Sequence, residues 1–235
     1  MAEQTEQLLQ RIREALAADA PPSDLRHYLA DASRADVAEV IELLDDDEQR
    51  KIMQTLDVTT AGEVLSLLDE ATLGDVAEHL SDQQLGEMVA TLDPDDAADV
   101  LGDLPPDQSV QVLDHLPDEQ SRQVQSLMQY DPETAGGLMT TFVVAVPETS
   151  TASQAVVQLR QSDIEDQVFQ VYVVDDQGRL QGIVPLTKLV TVPPDTFVCD
   201  VMIDVPVTLT ADMDQEEVAA LFSKYDLAAI PVVDP

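Results

Sequence analysis

Leucine returns every twelve residues through the first half of this chain, at Leu44, Leu56, Leu68, Leu80, Leu92, Leu104 and Leu116, and Met128 continues the series. Four positions ahead of each stand Val40, Ile52, Val64, Val76, Met88, Val100, Val112 and Val124. Residues four apart share one face of a helix, so each unit reads as one short amphipathic helix. The residue after each leucine is Asp45, Asp57, Asp69, Ser81, Asp93, Pro105 or Pro117, types that cap or restart helices. Helices of about two turns are marginal alone, since isolated ones need about 12–15 residues. They must stack and bury their Val/Leu pairs against one another, which predicts a small α-solenoid or superhelical bundle. Upstream, residues 3–19 read as a helix with Leu8, Leu9, Ile12 and Leu16 on its apolar stripe. Pro21 and Pro22 stop it, and Ser23 is expected to cap a second helix carrying Leu25, Tyr28 and Leu29.

From about residue 139 the period changes to alternation and β-branched runs. Phe142 to Val146 reads as a strand, Ser153 to Arg160 as a helix, and Gln170 to Val174 as a strand. A turn at Asp175-Asp176-Gln177-Gly178 leads into a returning strand from Leu180 to Val184. The order then restarts: Met202 follows Met139 by 63 residues, Val205 to Leu209 repeats the first strand, and Asp214 to Ser223 the helix. Ile230 to Asp234 matches Val171 to Asp175, after which the second β-α-β-β copy stops.

Charge narrows the partners. The chain of 235 residues carries 47 acidic side chains against 11 basic ones, a formal net charge of −36. Thirty acids and seven basic residues lie in the first 130 positions, a net of −23 on the repeat. Nucleic acid is excluded as a partner, because displacing phosphate counterions needs a Lys/Arg face. Docking on anionic lipid is disfavoured for the same reason. Carboxylates are hard oxygen ligands, which makes divalent cations the natural ligand class, although a salt-adapted surface would show the same excess. His79 and His115, at equivalent repeat positions, read as surface residues too far apart to share one metal. The single cysteine, Cys199, cannot form an internal disulfide and is expected to be a packed thiol. No run reaches the roughly 18 apolar residues of a membrane helix, and the acidic start is unlike a targeting peptide.

The segment Val173 to Val184, with Met139, Val143, Val144, Ser153 and Ala155 before it, resembles a cystathionine-β-synthase-type (CBS) domain, and the second copy resembles a truncated one. The junction Tyr130-Asp-Pro-Glu-Thr-Ala-Gly-Gly-Leu-Met139 resembles the segment that joins the helical domain to the CBS pair in MgtE-type magnesium transporters. Acidic helical repeat, junction and tandem CBS domains follow in that family's order. The implied fold is multidomain, α and α+β: an N-terminal superhelical bundle of short helices over 1–130, a first β-α-β-β-α CBS domain over 131–197, and an incomplete second over 198–235.

The resemblance implies the cytoplasmic Mg2+-sensing region of a magnesium channel or transporter, lying at the cytoplasmic face of the membrane. Its expected partners are a second copy, through the CBS domains, and the pore domain of a longer chain of which this is a fragment. Bound Mg2+ is expected to hold acidic faces together in a compact, closed state, and its loss to let them separate. Matched position by position, the family's ion-binding residues correspond to Asp214, Glu216 and Asp226 in the second CBS copy and to the Gly136 carbonyl in the junction. In the helical domain they correspond to Glu63, Asp95 and Asp99. Asp214 reads equally well as a helix cap. ATP is the second ligand that CBS pairs suggest; Lys188, standing where an acidic ribose contact is customary, counts against it. Two alternatives remain at this point: a scaffold similar to flagellar rotor repeats, and an adenine-nucleotide sensor without metal sensing. The chain is not expected to be an enzyme, since no phosphate loop, HExxH, GxSxG or CxxC motif is present.

Overall fold

The computed structural model describes residues 2–18, 20–162 and 168–234. They form two compact units that divide between Gln129 and Tyr130.

In the first unit, α1 (Ala2–Ala17) and α2 (Pro22–Ala30) precede the repeat. Asp19, the last residue of the helix expected over 3–19, lies outside the described residues. Ser23 does not cap α2: Pro21 is the N-cap, and Pro22, whose fixed φ suits the first turn, starts the helix. The repeat becomes α3 (Arg34–Glu42), α4 (Asp46–Met53), α5 (Val58–Leu65), α6 (Glu70–Glu78), α7 (Asp82–Val89), α8 (Pro94–Asp103), α9 (Pro106–Leu113) and α10 (Asp118–Leu127). Asp45, Asp57, Asp69 and Ser81, each one residue past a periodic leucine, accept the N3 backbone N–H with their side chains. The chain reverses at each cap, so helices pack on their second neighbours: α3, α5, α7 and α9 form one stack, and α4, α6, α8 and α10 the other.

The periodic Val, Ile and Met residues from Val40 to Val124 are buried, joined by Leu44, Leu68, Leu80, Leu92, Leu104 and Leu116 in one continuous core. Short helices leave many carbonyls unpaired at their C-terminal ends. Long side chains from elsewhere reach them: Arg13 donates to the Leu43 oxygen, Arg26 to Thr55, Gln108 to Ala77 and Gln120 to Leu92. Gln49, buried at a repeat position that is otherwise small or apolar, donates to both Ile41 and Leu44.

In the second unit, β1 (Ala145–Pro147) runs parallel to β2 (Gln170–Val174), with α11 (Ala152–Gln161) between them in sequence. β2 pairs antiparallel with β3 (Leu180–Pro185) through a turn in which Gly178 adopts φ 76°, and α12 (Leu186–Thr191) follows. The first strand is shorter than the 142–146 expected: pairing begins at the Val144 carbonyl, which accepts from Tyr172 N, and Phe142 and Val143 are exposed. Val146 opposite Val173 in the first copy has its counterpart in a lone parallel bridge between Leu209 and Val232, 63 residues on from Val146. The strand expected over 205–209 is thus reduced to that one bridge. α13 (Gln215–Tyr225) completes the described second copy. Each copy has its own small core, around Val146, Val171 and Val184 in the first and Leu209, Val218 and Ile230 in the second. Cys199 is exposed in a 3₁₀ turn, Val198–Asp200, because that turn buries Val198 and faces its neighbour outward. No described helix is long and apolar enough to cross a membrane.

Candidate functional site

Three places in the molecule gather the residues that the sequence singles out. The first is α8. Asp95, Asp99 and Asp103 stand four residues apart, so a helix places them in a row along one face. Burial pushes the Asp99 carboxyl above the ordinary carboxylate range, and the charges of Asp95 and Asp103 push it further the same way. Asp99 is exposed as a residue, so solvent screens this repulsion although neighbouring atoms shed part of the carboxyl's water. Asp103 was not among the expected residues, and its signal was the same four-residue spacing. The N-terminal caps behave in the opposite sense. The Thr60 backbone N–H and hydroxyl hold the Asp57 carboxyl below its usual range, and Thr72 does the same for Asp69. Glu63 is already engaged: its carboxylate accepts from Arg34 Nε, joining α5 to α3. His79 and His115 are exposed.

The second place is the start of α13. The junction segment 133–136 pairs with the approach to this helix: Gln215 N donates to Glu133 O at 2.9 Å, Ala135 N to Met213 O at 2.7 Å and Gly136 N to Ala211 O at 2.8 Å. Gly136 is required there, because a Cβ would sit 2.6 Å from the Tyr130 ring and 3.0 Å from the Ala211 oxygen. The pairing brings Gly136 and Asp214 onto neighbouring strands-in-miniature, with Asp214 bridged to Thr134. Asp214 caps α13, its carboxylate accepting from Glu216 N at 2.8 Å, and Glu216 projects from the exposed first turn. Asp226 is at the other end of α13, as its C-cap, in the left-handed region at φ 51°, ψ 50°. Asp226 follows Asp214 by twelve positions across the eleven-residue α13, about 18 Å at about 1.5 Å per residue, so one ion cannot bridge both within a single copy. A carboxylate at a helix C-terminus, in a conformation that favours glycine, is doubly uncomfortable.

Among the described residues, no three carboxylate, imidazole or thiol groups converge closely enough to cage a metal. The candidate donors are all oxygen, a set that suits a hard divalent cation such as Mg2+ or Ca2+.

The third place is a cleft of about 630 Å3 inside the second unit, lined by the junction and by both CBS-like copies, with Met139, Thr140, Leu180, Phe222 and Ile230 on its walls. Its size suits a nucleoside. The described lining includes the hydroxyl-bearing Thr140, Thr141 and Tyr172 but no lysine or arginine, and Lys188, exposed on α12, is not part of it. The cleft therefore fits a base and sugar and offers no cation to a triphosphate.

Known proteins share this organisation. The family model of the MgtE intracellular N domain matches residues 32–133, and that of the CBS domain matches 135–195 and 198–235. The magnesium transporter MgtE of Thermus thermophilus is 40% identical over 112 residues, covering 47% of this chain and 25% of that protein. The chain thus aligns with about a quarter of the length of such relatives. A crystal structure of the cytosolic domain of the Mg2+ channel MgtE in complex with ATP superposes with a TM-score of 0.88 at 32% identity, covering 96% of this chain and 92% of that one. A structure of the soluble part of a magnesium transporter superposes at 0.82 with 25% identity, over 100% of this chain and 91% of that one. Superhelical acidic repeat, glycine junction and paired CBS copies, matched over nearly the whole chain, make this a member of the MgtE magnesium transporter family.

Proposed function

We propose that this chain is a cytoplasmic Mg2+-sensing regulatory region, dividing into a helical sensor over 1–130, a first CBS domain over 131–197 and a second over 198–235. The observation that carries the reading is the row of Asp95, Asp99 and Asp103 along one face of α8, where burial and then the charges of its two neighbours push the Asp99 carboxyl above its ordinary range. A row of like charges is relieved by a divalent cation, and bound Mg2+ would supply that charge. Asp95, Asp99 and Glu63 in the sensor, and Gly136, Asp214, Glu216 and Asp226 in the CBS part, are the proposed oxygen donors. Repulsion among these carboxylates favours an extended arrangement when Mg2+ is scarce. Their neutralisation favours a compact one, by no more than the difference in ion affinity between the two states. In the full-length protein the compact state would close a membrane pore, with a second copy joined through the CBS domains. No catalytic step is proposed.

Small-angle scattering during a Mg2+ titration tests this. Compaction by millimolar Mg2+, and not by NaCl of matched ionic strength, supports sensing; equal compaction by both leaves only screening. Asp214→Asn separates the two roles of that residue, since asparagine caps a helix about as well as aspartate. If Asp214 is a ligand, the variant keeps its stability and its Mg2+ midpoint rises; an unchanged midpoint makes it a cap alone.

The apolar cleft favours a second reading, in which an adenine nucleotide also binds between the CBS copies. Calorimetric titrations with adenosine and with ATP separate its parts. Comparable affinities fit a base-and-sugar site, and much tighter ATP requires a cation that the described lining does not provide.

A further inference from the structure

The sensor unit carries only seven basic side chains, and their pairing is uneven. Arg50 pairs with Asp47 and Arg122 with Glu119, each within one helix. Among the described residues of this unit, the pair between Arg34 and Glu63 is the one that links two helices, α3 and α5. It is also the only side-chain hydrogen bond that Arg34 makes there. Both side chains stay open to water, at 40% and 43% exposure, so a hydrated cation can approach the carboxylate and the guanidinium can leave it. Arg34 has somewhere to go. It lines a cavity of about 400 Å3 together with Asp57 and Thr60, and the Asp57 carboxylate there is an alternative partner.

We propose that Arg34 is a tethered counter-ion that competes with Mg2+ for Glu63 and so sets the concentration at which the ion takes that carboxylate. The inference rests on the reading of Glu63 as an oxygen donor. A carboxylate occupied by a guanidinium is available to a cation only for the fraction of time that the pair is open, and apparent affinity falls by that fraction. The competitor costs no binding site elsewhere, and it keeps the sensor from collapsing on trace ions. Because half-exposed ion pairs are modest in strength, the expected shift is about two- to five-fold.

The test is an NMR titration of the whole 235-residue chain with MgCl2 at constant ionic strength, following the Glu63 side-chain carboxyl carbon. Wild type is compared with Arg34→Gln, Arg34→Lys and the control Arg122→Gln, which removes one positive charge from an exposed pair on α10. Arg34→Gln should lower the Glu63 midpoint about two- to five-fold. Arg34→Lys should fall between it and wild type, and Arg122→Gln should shift the midpoint little. A midpoint in Arg34→Gln equal to or above that of Arg122→Gln overturns the counter-ion role while leaving Glu63 a ligand. A Glu63 signal that ignores Mg2+ in wild type removes Glu63 as a ligand, and this inference with it. Urea unfolding of each variant, run in parallel, shows whether Arg34→Gln acts through stability; if it unfolds early, the Arg34→Lys midpoint decides alone.

Discussion

The two stacks of the helical unit are written in the same twelve-residue grammar and use it differently. Gly62 in α5, Gly74 in α6 and Gly86 in α7 occupy one repeat position. In the α3–α5–α7–α9 stack that position is a contact: a Cβ on Gly62 would lie 2.5 Å from both the Met88 carbonyl oxygen and Thr91 Oγ1, and one on Gly86 would meet the His115 Cβ. In the other stack, a Cβ on Gly74 meets nothing within 4 Å. The first stack is also cross-linked by Arg34 and Glu63, while the second carries the carboxylate row of α8. At this repeat position, identical spacing therefore encodes a tight contact on one side and open space on the other, the side that also carries the crowded charge of α8.

The sharpest way to break this contrast is a pair of identical substitutions. Gly62→Ala forces a methyl group against the backbone of α7, and overpacking of that kind outweighs the gain in helix propensity; the unit should lose about 2 kcal/mol. Gly74→Ala adds a methyl group in open space and removes a flexible residue from a helix, so stability should rise by about 0.5–1 kcal/mol. Urea unfolding followed by circular dichroism reads both. Equal signs for the two would mean that the stacks are packed alike.

How much of this was readable beforehand depends on the range of the interaction. The repeat, its caps and its core were legible because each is a contact within one turn or between like turns: Leu56 announces Asp57, and Asp57 closes on Thr60. The paired CBS copies were legible through a 63-residue echo, Val146 to Leu209. Ser23 misled because proline at the first helical position competes with any cap a residue later. Cys199 misled because an apolar neighbourhood in sequence says nothing about which side a 3₁₀ turn presents. The Arg34–Glu63 pair was out of reach altogether: 29 residues separate its members, and only the stacking of α3 on α5 brings them together. For the ion-binding residues, sequence supplied positions by likeness, and the structure adds which of them already have work: Glu63 with Arg34, Asp214 with Glu216 N.

The acid responses contrast Asp57, a cap on the tight stack, with Asp99 on the open one, and the two should respond with opposite signs. Asp57 is held below the ordinary aspartate value of 3.8 by its bonds from Thr60, so its stabilisation is present above that value and is lost as pH falls through the lower, folded one. Asp57→Ala should therefore cost about 1 kcal/mol at pH 7, the usual loss for a cap, and the variant should converge on wild type in strong acid. Asp99 is raised above 3.8, so its folded form prefers the proton. The contribution of that preference is complete below 3.8 and disappears as pH rises through the folded value, leaving an ionised carboxylate pressed against Asp95 and Asp103. Asp99→Asn should accordingly be more stable than wild type at pH 7 by a few tenths of a kcal/mol, the scale of a screened surface interaction. That advantage should fade in acid, where wild type is protonated as well, and it should shrink in millimolar Mg2+ if the ion relieves the same repulsion. Thermal melts at pH 7 and in acid, with and without MgCl2, read all four conditions. An Asp99→Asn variant less stable than wild type at pH 7 would show that the row on α8 is held by attraction rather than strained by charge, and the division between a tight stack and a charged, open one would then fail at its centre.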